Sequence, residues 1–230
     1  MARVNENADM IRTAIFDMDG LMVDTEPLWR EAEKQVFASV GIALDDNMMR
    51  ETMGLRADEV VAYRYHLQPW SQRTQKQVLD DILYLVRDLI ASRAEPLPGL
   101  HALLDFFPSR NIGMALASSS HMMLIQTVLA KFDLEKRFEV VHSAEDEPYG
   151  KPHPAIYLST AQRMHTYPAD CLALEDSFNG LIAAKAARMK VVAIPDAEHR
   201  NDPRFGAADL VLQGMNDFTA GRLDFLNTLR

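Results

Sequence analysis

Two aspartates one residue apart, in Ile15-Phe16-Asp17-Met18-Asp19-Gly20, end a short apolar run that begins at Thr13. Other polar groups stand at the ends of later apolar runs. Ser118-Ser119-Ser120 follow residues 113–117, and Glu175-Asp176 follow Cys171-Leu172-Ala173-Leu174. Lys151 lies between them in Tyr149-Gly150-Lys151-Pro152-His153-Pro154. If Asp17, Asp19, Glu175 and Asp176 share one cleft, like charges about 4 Å apart repel by roughly 4 kcal/mol at an effective dielectric of about 20, so the cluster needs a cation. Carboxylate and carbonyl oxygens are hard ligands and a phosphate ester adds more oxygen, which suits Mg2+ better than zinc or copper. Asp17 and Asp176 are the side-chain ligands in that arrangement. Each signal alone has a plainer meaning. Asp is common where a strand turns, Ser118 suits a helix cap, and Lys151 suits a solvated loop. Glu175-Asp176 precede a helix start at Ser177 and Asn179. Gly150-Lys151 lacks the glycine spacing of a P-loop.

Strands must bring these groups together. Thr13–Phe16 reads as a strand stopped by Gly20, which permits a tight turn. From residue 99 the pattern alternates: helix 99–110, strand 112–117, helix 121–132, strand 139–142, helix 154–166, the Cys171 strand, helix 179–188, strand 190–194 and an edge strand at 210–212. This rhythm predicts an α/β fold with a Rossmann-like parallel sheet, in which ligands bind at the C-terminal ends of the strands. Residues 25–94 contain no convincing strand and read as an inserted α-helical cap domain. The core is then 1–24 and 95–230. Pro27 starts a helix marked by Trp29, Ala32, Val36, Phe37 and Val40 and stopped by Gly41. A short helix follows at 48–52, then a turn at Met53-Gly54-Leu55-Arg56, then a helix carrying Val60, Val61, Arg64 and Tyr65 that ends before Pro69. Val78, Leu79, Ile82, Leu83, Val86, Leu89 and Ile90 form one apolar face of a fourth helix. Glu95-Pro96-Leu97-Pro98-Gly99 is a stiff return, and two crossings between the domains make a hinge.

Aspartate pair, hydroxyl, lysine and second acidic pair, in that order, resemble the four motifs of the haloacid dehalogenase superfamily, most of whose members are phosphatases. The resemblance spans nearly the whole chain. Within the superfamily, Phe16-Asp17-Met18-Asp19-Gly20-Leu21, Glu26-Pro27-Leu28-Trp29, Gln68-Pro69-Trp70 and Leu174-Glu175-Asp176-Ser177 with Asn179-Gly180 are similar to bacterial 2-deoxyglucose-6-phosphate and hexitol-phosphate phosphatases. The resemblance implies that Asp17 is the nucleophile of an aspartyl-phosphate pathway and that Asp19 is the acid and base. Asp19 would add its backbone carbonyl to the metal, and Glu175 would lie at or just behind it. Ser118 and the Ser119 N–H would hold phosphoryl oxygens, with Lys151 offsetting their charge. Gly54 and Arg56 correspond to the substrate-specificity loop, where Arg56 would offer a planar fork of donors. The substrate would be a small phosphorylated sugar or hexitol.

Two other readings fit parts of the pattern. A sugar phosphomutase of the β-phosphoglucomutase type shares all four motifs, but such mutases carry a histidine where this chain, aligned from Asp17, has Trp29. A phosphoaccepting signalling domain also surrounds an aspartate with acids, a hydroxyl and a lysine, but is about half this length and has no inserted cap. Of seven histidines none has metal-ligand spacing with another, and His153 is the nearest to the site. Trp29 and Trp70 read as packing residues that could also face a sugar ring. The net charge of −9 argues against nucleic acid and anionic membranes as partners. Residues 1–10 lack a leader's apolar stretch, and no segment offers the ~20 apolar residues of a membrane span. The expectation is a cytoplasmic monomer. Cys171 is the single cysteine, which excludes an internal disulfide and reads as core packing.

Overall fold

Apolar runs too short for helices become six strands: β1 (Thr13–Phe16), β2 (Gly113–Ser118), β3 (Val140–Ser143), β4 (Cys171–Glu175), β5 (Lys190–Ala193) and β6 (Leu210–Val211). They form one sheet in the order β3-β2-β1-β4-β5-β6, and every neighbouring pair is parallel. The computed structural model describes residues 10–52 and 54–229. Of residues 1–10, read above as lacking a leader's apolar stretch, residues 1–9 lie outside the described residues, as does Met53 of the expected turn.

Four helices are inserted between β1 and β2: α1 (Glu26–Ala38), α2 (Asp46–Glu51), α3 (Ala57–Leu67) and α4 (Gln75–Arg93). The later helices are α5 (Leu100–Phe106), α6 (Met122–Lys131), α7 (Ala155–Arg163), α8 (Phe178–Ala186) and α9 (Ala220–Thr228). The fold is the α/β, Rossmann-like one that the alternation predicts. The helix expected at 99–110 ends at Phe106 and passes into a 3-10 turn at Pro108–Arg110, because Pro108 has no N–H to continue the ladder. The helix expected at 48–52 starts two residues earlier, where Asp45 Oδ1 accepts the Met48 N–H at 2.8 Å. Sequence reading did not find α9, whose buried face consists of Leu223 and Leu226 alone. Among the described residues no helix is long and apolar enough to cross a membrane.

Side chains alternate across the sheet, so each face has its own core. Phe16, Leu116, Leu174 and Val192 share one cluster with α5 and α6 residues, and Phe16 meets Phe107 and Phe138 edge-on, each at 5.7 Å between ring centres. On the other face Ile15, Ala115, Ala173 and Val191 meet Ile156 and Tyr157 of α7 and Leu181, Ala183 and Ala184 of α8. The small residues there let two helices approach the strands closely. Trp70 is buried between Phe37 and Tyr65, so it packs and faces no cleft. Cys171 is buried too, and burial pushes its thiol up to about 12, as an inert core residue requires.

The register aligns the polar strand ends. Phe16 pairs with Leu116 on one side and Leu174 on the other, so Asp17 emerges level with Ala117 and Glu175. The Asp17 N–H extends the ladder to Leu174 O at 3.1 Å.

Candidate active site

Asp17 is the first residue past β1; Glu175 ends β4 beside it, and Asp176 is the first residue past that strand. Carboxylate oxygens of these three buried residues lie within 4.8 Å of one another. Lys151 comes in from the loop before α7. Its ammonium donates to Asp17 Oδ1 and Glu175 Oε1, both at 2.6 Å, and to Ala117 O at 3.4 Å. Only 2% of the residue is exposed, so it is no solvated loop charge. Burial pulls its pKa down, but the two carboxylates outweigh that and hold it above its usual value. Burial also pushes Asp17 up to about 8, with Lys151 opposing and Glu175 and Asp19 adding to the rise. Asp176 is raised as well, by burial first and then by Asp17 and Glu175. Fully ionised, the three carboxylates would carry more negative charge than one ammonium neutralises, and together with burial this is what holds Asp17 and Asp176 towards the protonated form.

The donor set fits a hard divalent cation. Asp176 Oδ1 is buried without a hydrogen-bond partner among the described residues, which is costly unless something else occupies it. The chain also makes room for this carboxylate. A Cβ on Gly20 would lie 2.1 Å from Asp176 Oδ2, and Gly20 has φ +77°. Glu175 is less free. Its Oε1 accepts from Lys151 and from the Tyr157 hydroxyl, and its Oε2 from Ser177 Oγ at 3.2 Å. Gly180 lets it fit, since a Cβ there would lie 2.0 Å from Oε1. Ser177, not the acidic pair, caps α8, with its Oγ accepting the Gly180 N–H at 3.0 Å.

Asp19 points away from this trio. Its Oδ1 accepts from Thr25 Oγ1 at 2.6 Å and Trp29 Nε1 at 3.2 Å, and its Oδ2 from Ser120 Oγ at 2.7 Å and Ser118 Oγ at 3.3 Å. Thr25 occupies the N-cap position of α1 yet makes no side-chain cap bond; its hydroxyl goes to Asp19. Trp29 is thus a hydrogen-bond partner of Asp19, in place of the simple packing expected.

Asp17, Asp19, Ser119, Lys151, Asp176 and Gly54 line one cleft. Ser118 lies just behind it, buried, with its Oγ accepting the Ser120 N–H at 3.0 Å. Ser119 Oγ donates to Gly54 O at 3.3 Å, joining the loop after β2 to the loop before α3. Arg56 is placed differently from the expectation. Its guanidinium donates to Asp58 at 2.7 and 3.0 Å and to the carbonyls of Glu147 and Ala144 at 2.6 and 2.9 Å. Beside it Glu59 Oε1 accepts the Gly150 N–H at 3.0 Å. Arg56 is therefore not among the cleft-lining residues; with Glu59 it fastens α3 to the loops after β3, using the donors that a sugar would need. His153 also lies apart, against Tyr149 at 5.1 Å between ring centres, and the histidine that lines the cleft is His121.

Sequence reading missed Thr25, Ser120 and Tyr157. Thr25 and Ser120 had a usable signal, since each adjoins a motif it serves. Tyr157 had none beyond an apolar helix face. It also missed the cleft's outer wall, where Glu26, Arg30 and Glu33 of α1 face Met49, Arg50 and Thr52.

The profile of a family described as Haloacid dehalogenase-like hydrolase matches residues 14–194. Hexitol phosphatase B of Escherichia coli K12 is 41% identical over 211 residues, which is 91% of this chain and 95% of that protein. The phosphorylated carbohydrates phosphatase of Thermotoga maritima is 32% identical over 180 residues, 77% of this chain and 82% of the relative. Among solved structures, CbbY from Rhodobacter sphaeroides in complex with phosphate superposes with a TM-score of 0.85 at 25% identity, covering 94% of this chain and 100% of that one.

Proposed function

The chain belongs to the haloacid dehalogenase-like hydrolase family, and from that premise we propose that it is a phosphoric monoester hydrolase acting on small sugar or hexitol phosphates. Hexitol phosphatase B, similar over almost its whole length, supports the substrate class. The observation that carries the reading is the pair of aspartates in one cleft: Asp17 against buried Lys151 and the orphaned Asp176 oxygen, and Asp19 hydrogen-bonded from α1 and from the loop after β2.

Asp17 attacks phosphorus, and the ester oxygen leaves with a proton from Asp19, giving an aspartyl-phosphate. Asp19 then takes a proton from water, whose oxygen attacks the same phosphorus; inorganic phosphate departs and the Asp17 carboxylate is restored. Lys151 balances charge at Asp17 in both steps, and Glu175, fixed by Tyr157 and Ser177, holds Lys151 in place. Ser118, which ends β2, and Ser119, in the loop that leads to α6, are the proposed phosphate-binding residues. Asp17 and Asp176, with the Asp19 carbonyl, would hold Mg2+, while Glu175 supports the site from behind. When bound, Mg2+ would neutralise charge that builds on the phosphoryl oxygens. Residues 25–94 act as the cap domain over a core of 1–24 and 95–230, and Arg56 secures that cap instead of touching substrate.

Trp29 favours hydrolysis over phosphate migration within one sugar. A mutase must shield its aspartyl-phosphate from water until a sugar hydroxyl returns. An indole offers one N–H and no titrating group, so it cannot relay the proton of Asp19 as a histidine can. The test is free-phosphate release by purified protein from a panel of phosphorylated sugars, alditols and nucleotides, with Mg2+ and with excess chelator. Release from sugar or hexitol phosphates that vanishes in Asp17→Asn and in chelator is expected. Release by Asp17→Asn at the wild-type rate, or isomerised hexose phosphate outpacing free phosphate, would refute the reading.

A further inference from the structure

On α1, Trp29 and Glu33 are one turn apart and share a face. Trp29 touches Asp19, beside which the ester oxygen must sit, so Glu33 lies about 5 to 6 Å further along the helix in the same cleft. Glu33 lines the cleft and is 8% exposed, yet its carboxyl has no hydrogen bond or ion pair with any described residue. Its oxygens are not sealed in as Asp176 Oδ1 is; they open on the cleft, where a ligand can reach a carboxyl that no neighbouring side chain has engaged. The Asp176 oxygen would be met by the proposed cation; Glu33, one turn beyond Trp29 on α1, lines the same cleft and is open to a different ligand group.

We propose that Glu33 is the specificity residue that hydrogen-bonds a hydroxyl of the polyhydroxylated leaving group. This rests on the phosphatase reading and assigns the part of the substrate beyond the phosphate. The surroundings favour a neutral partner that both donates and accepts. Burial first, and then Glu26, raise the Glu33 carboxyl to about 7, against a weaker opposing pull from Arg64, so at neutral pH the group offers both O–H and oxygen. A hydroxyl can match either form.

The test compares kcat/KM for a hexitol 6-phosphate with that for phenyl phosphate, which has no hydroxyl, in wild type, Glu33→Leu and Glu33→Gln. The hexitol-to-phenyl ratio should fall about 10- to 100-fold in Glu33→Leu, as the loss of a hydrogen bond to a charged or strongly polar group predicts. Glu33→Gln keeps the outline and a carbonyl acceptor, and its ratio should lie between the two. If Glu33→Leu does not fold, Glu33→Gln decides: a ratio below wild type supports the proposal, and a wild-type ratio overturns it. An unchanged ratio in folded Glu33→Leu overturns the role of Glu33 alone, provided wild type cleaves the hexitol phosphate. Wild type that cleaves phenyl phosphate but no sugar or polyol phosphate overturns the substrate reading and this proposal together. A preference for amino-sugar phosphates that is lost in Glu33→Leu would put an ammonium in place of the hydroxyl and overturn it as well.

Discussion

Glu33 sits where the substrate reading needs it, and the fold should be less stable for keeping it there. In Glu33→Gln a neutral amide of the same outline replaces the acid. The carboxyl moves from 4.5 to about 7 on folding, with burial as the main cause. At about 1.4 kcal/mol for each tenfold change in proton affinity, that is about 3 kcal/mol. The folded chain binds this proton more tightly than the unfolded chain does. Its contribution is therefore fully present below about pH 4.5, is lost as pH rises through about 7, and stays lost above it. Relative to wild type, Glu33→Gln should gain about 3 kcal/mol at pH 8, which is about 6 to 12 °C in melting temperature for a chain of this size, and should lose that gain by pH 4. Urea unfolding of both proteins in chelator at pH 4, 6 and 8 measures the difference, and other titrating groups cancel. Equal stability differences at pH 4 and pH 8 would falsify the account, because the gain would then come from packing and not from the proton.

Gly20→Ala should cut Mg2+-dependent phosphate release at least about 100-fold and cost about 1–2 kcal/mol of stability for its left-handed backbone, since the new Cβ meets Asp176 Oδ2; a Mg2+ titration with near-normal half-saturation would refute this. Arg56→Ala should reduce kcat/KM by a similar factor for hexitol phosphate and phenyl phosphate, because its guanidinium holds the Ala144 and Glu147 carbonyls; selective loss on sugars would return Arg56 to the substrate. Trp29→Phe removes one N–H from the Asp19 carboxylate and should lower kcat about tenfold with little change in melting temperature; unchanged kcat would leave Trp29 as packing.

The strands and the groups at their ends could be read from the sequence because both are local properties. Ile15, Phe16 and Gly20 give β1 and its turn, and the parallel register then makes neighbours of Asp17 and Glu175. Partners were not local. Arg56 bonds a carbonyl 88 residues away and Lys151 a carboxylate 134 residues away. A planar donor near a glycine looks the same in sequence whether it meets a sugar or a backbone. Periodicity says that Tyr157 is buried but not that its hydroxyl meets Glu175. Nothing in the sequence marks Glu33, although it lies one turn from Trp29; only the three-dimensional cleft shows that its carboxyl is buried there without a hydrogen bond to any described residue.

The place of β1 in the sheet also affects how the chain is made. It lies between β2 and β4, so this strand, the earliest of those described, keeps one flank open after synthesis until residues 113–118 arrive and the other until 171–175. The helical insertion lengthens the first wait. In closure entropy, stretching a connection from roughly 30 to roughly 100 residues costs only about 1 kcal/mol. The larger effect is on time, about 5 to 20 s for those residues at ordinary rates of synthesis, during which Thr13–Phe16 is an apolar strand with bare edges. An insertion that folds by itself as it emerges would draw the strands' ends together and shorten that exposure. Variants that weaken the α1–α4 segment should then lower the yield of soluble protein during synthesis more than they lower the stability of molecules that have already folded.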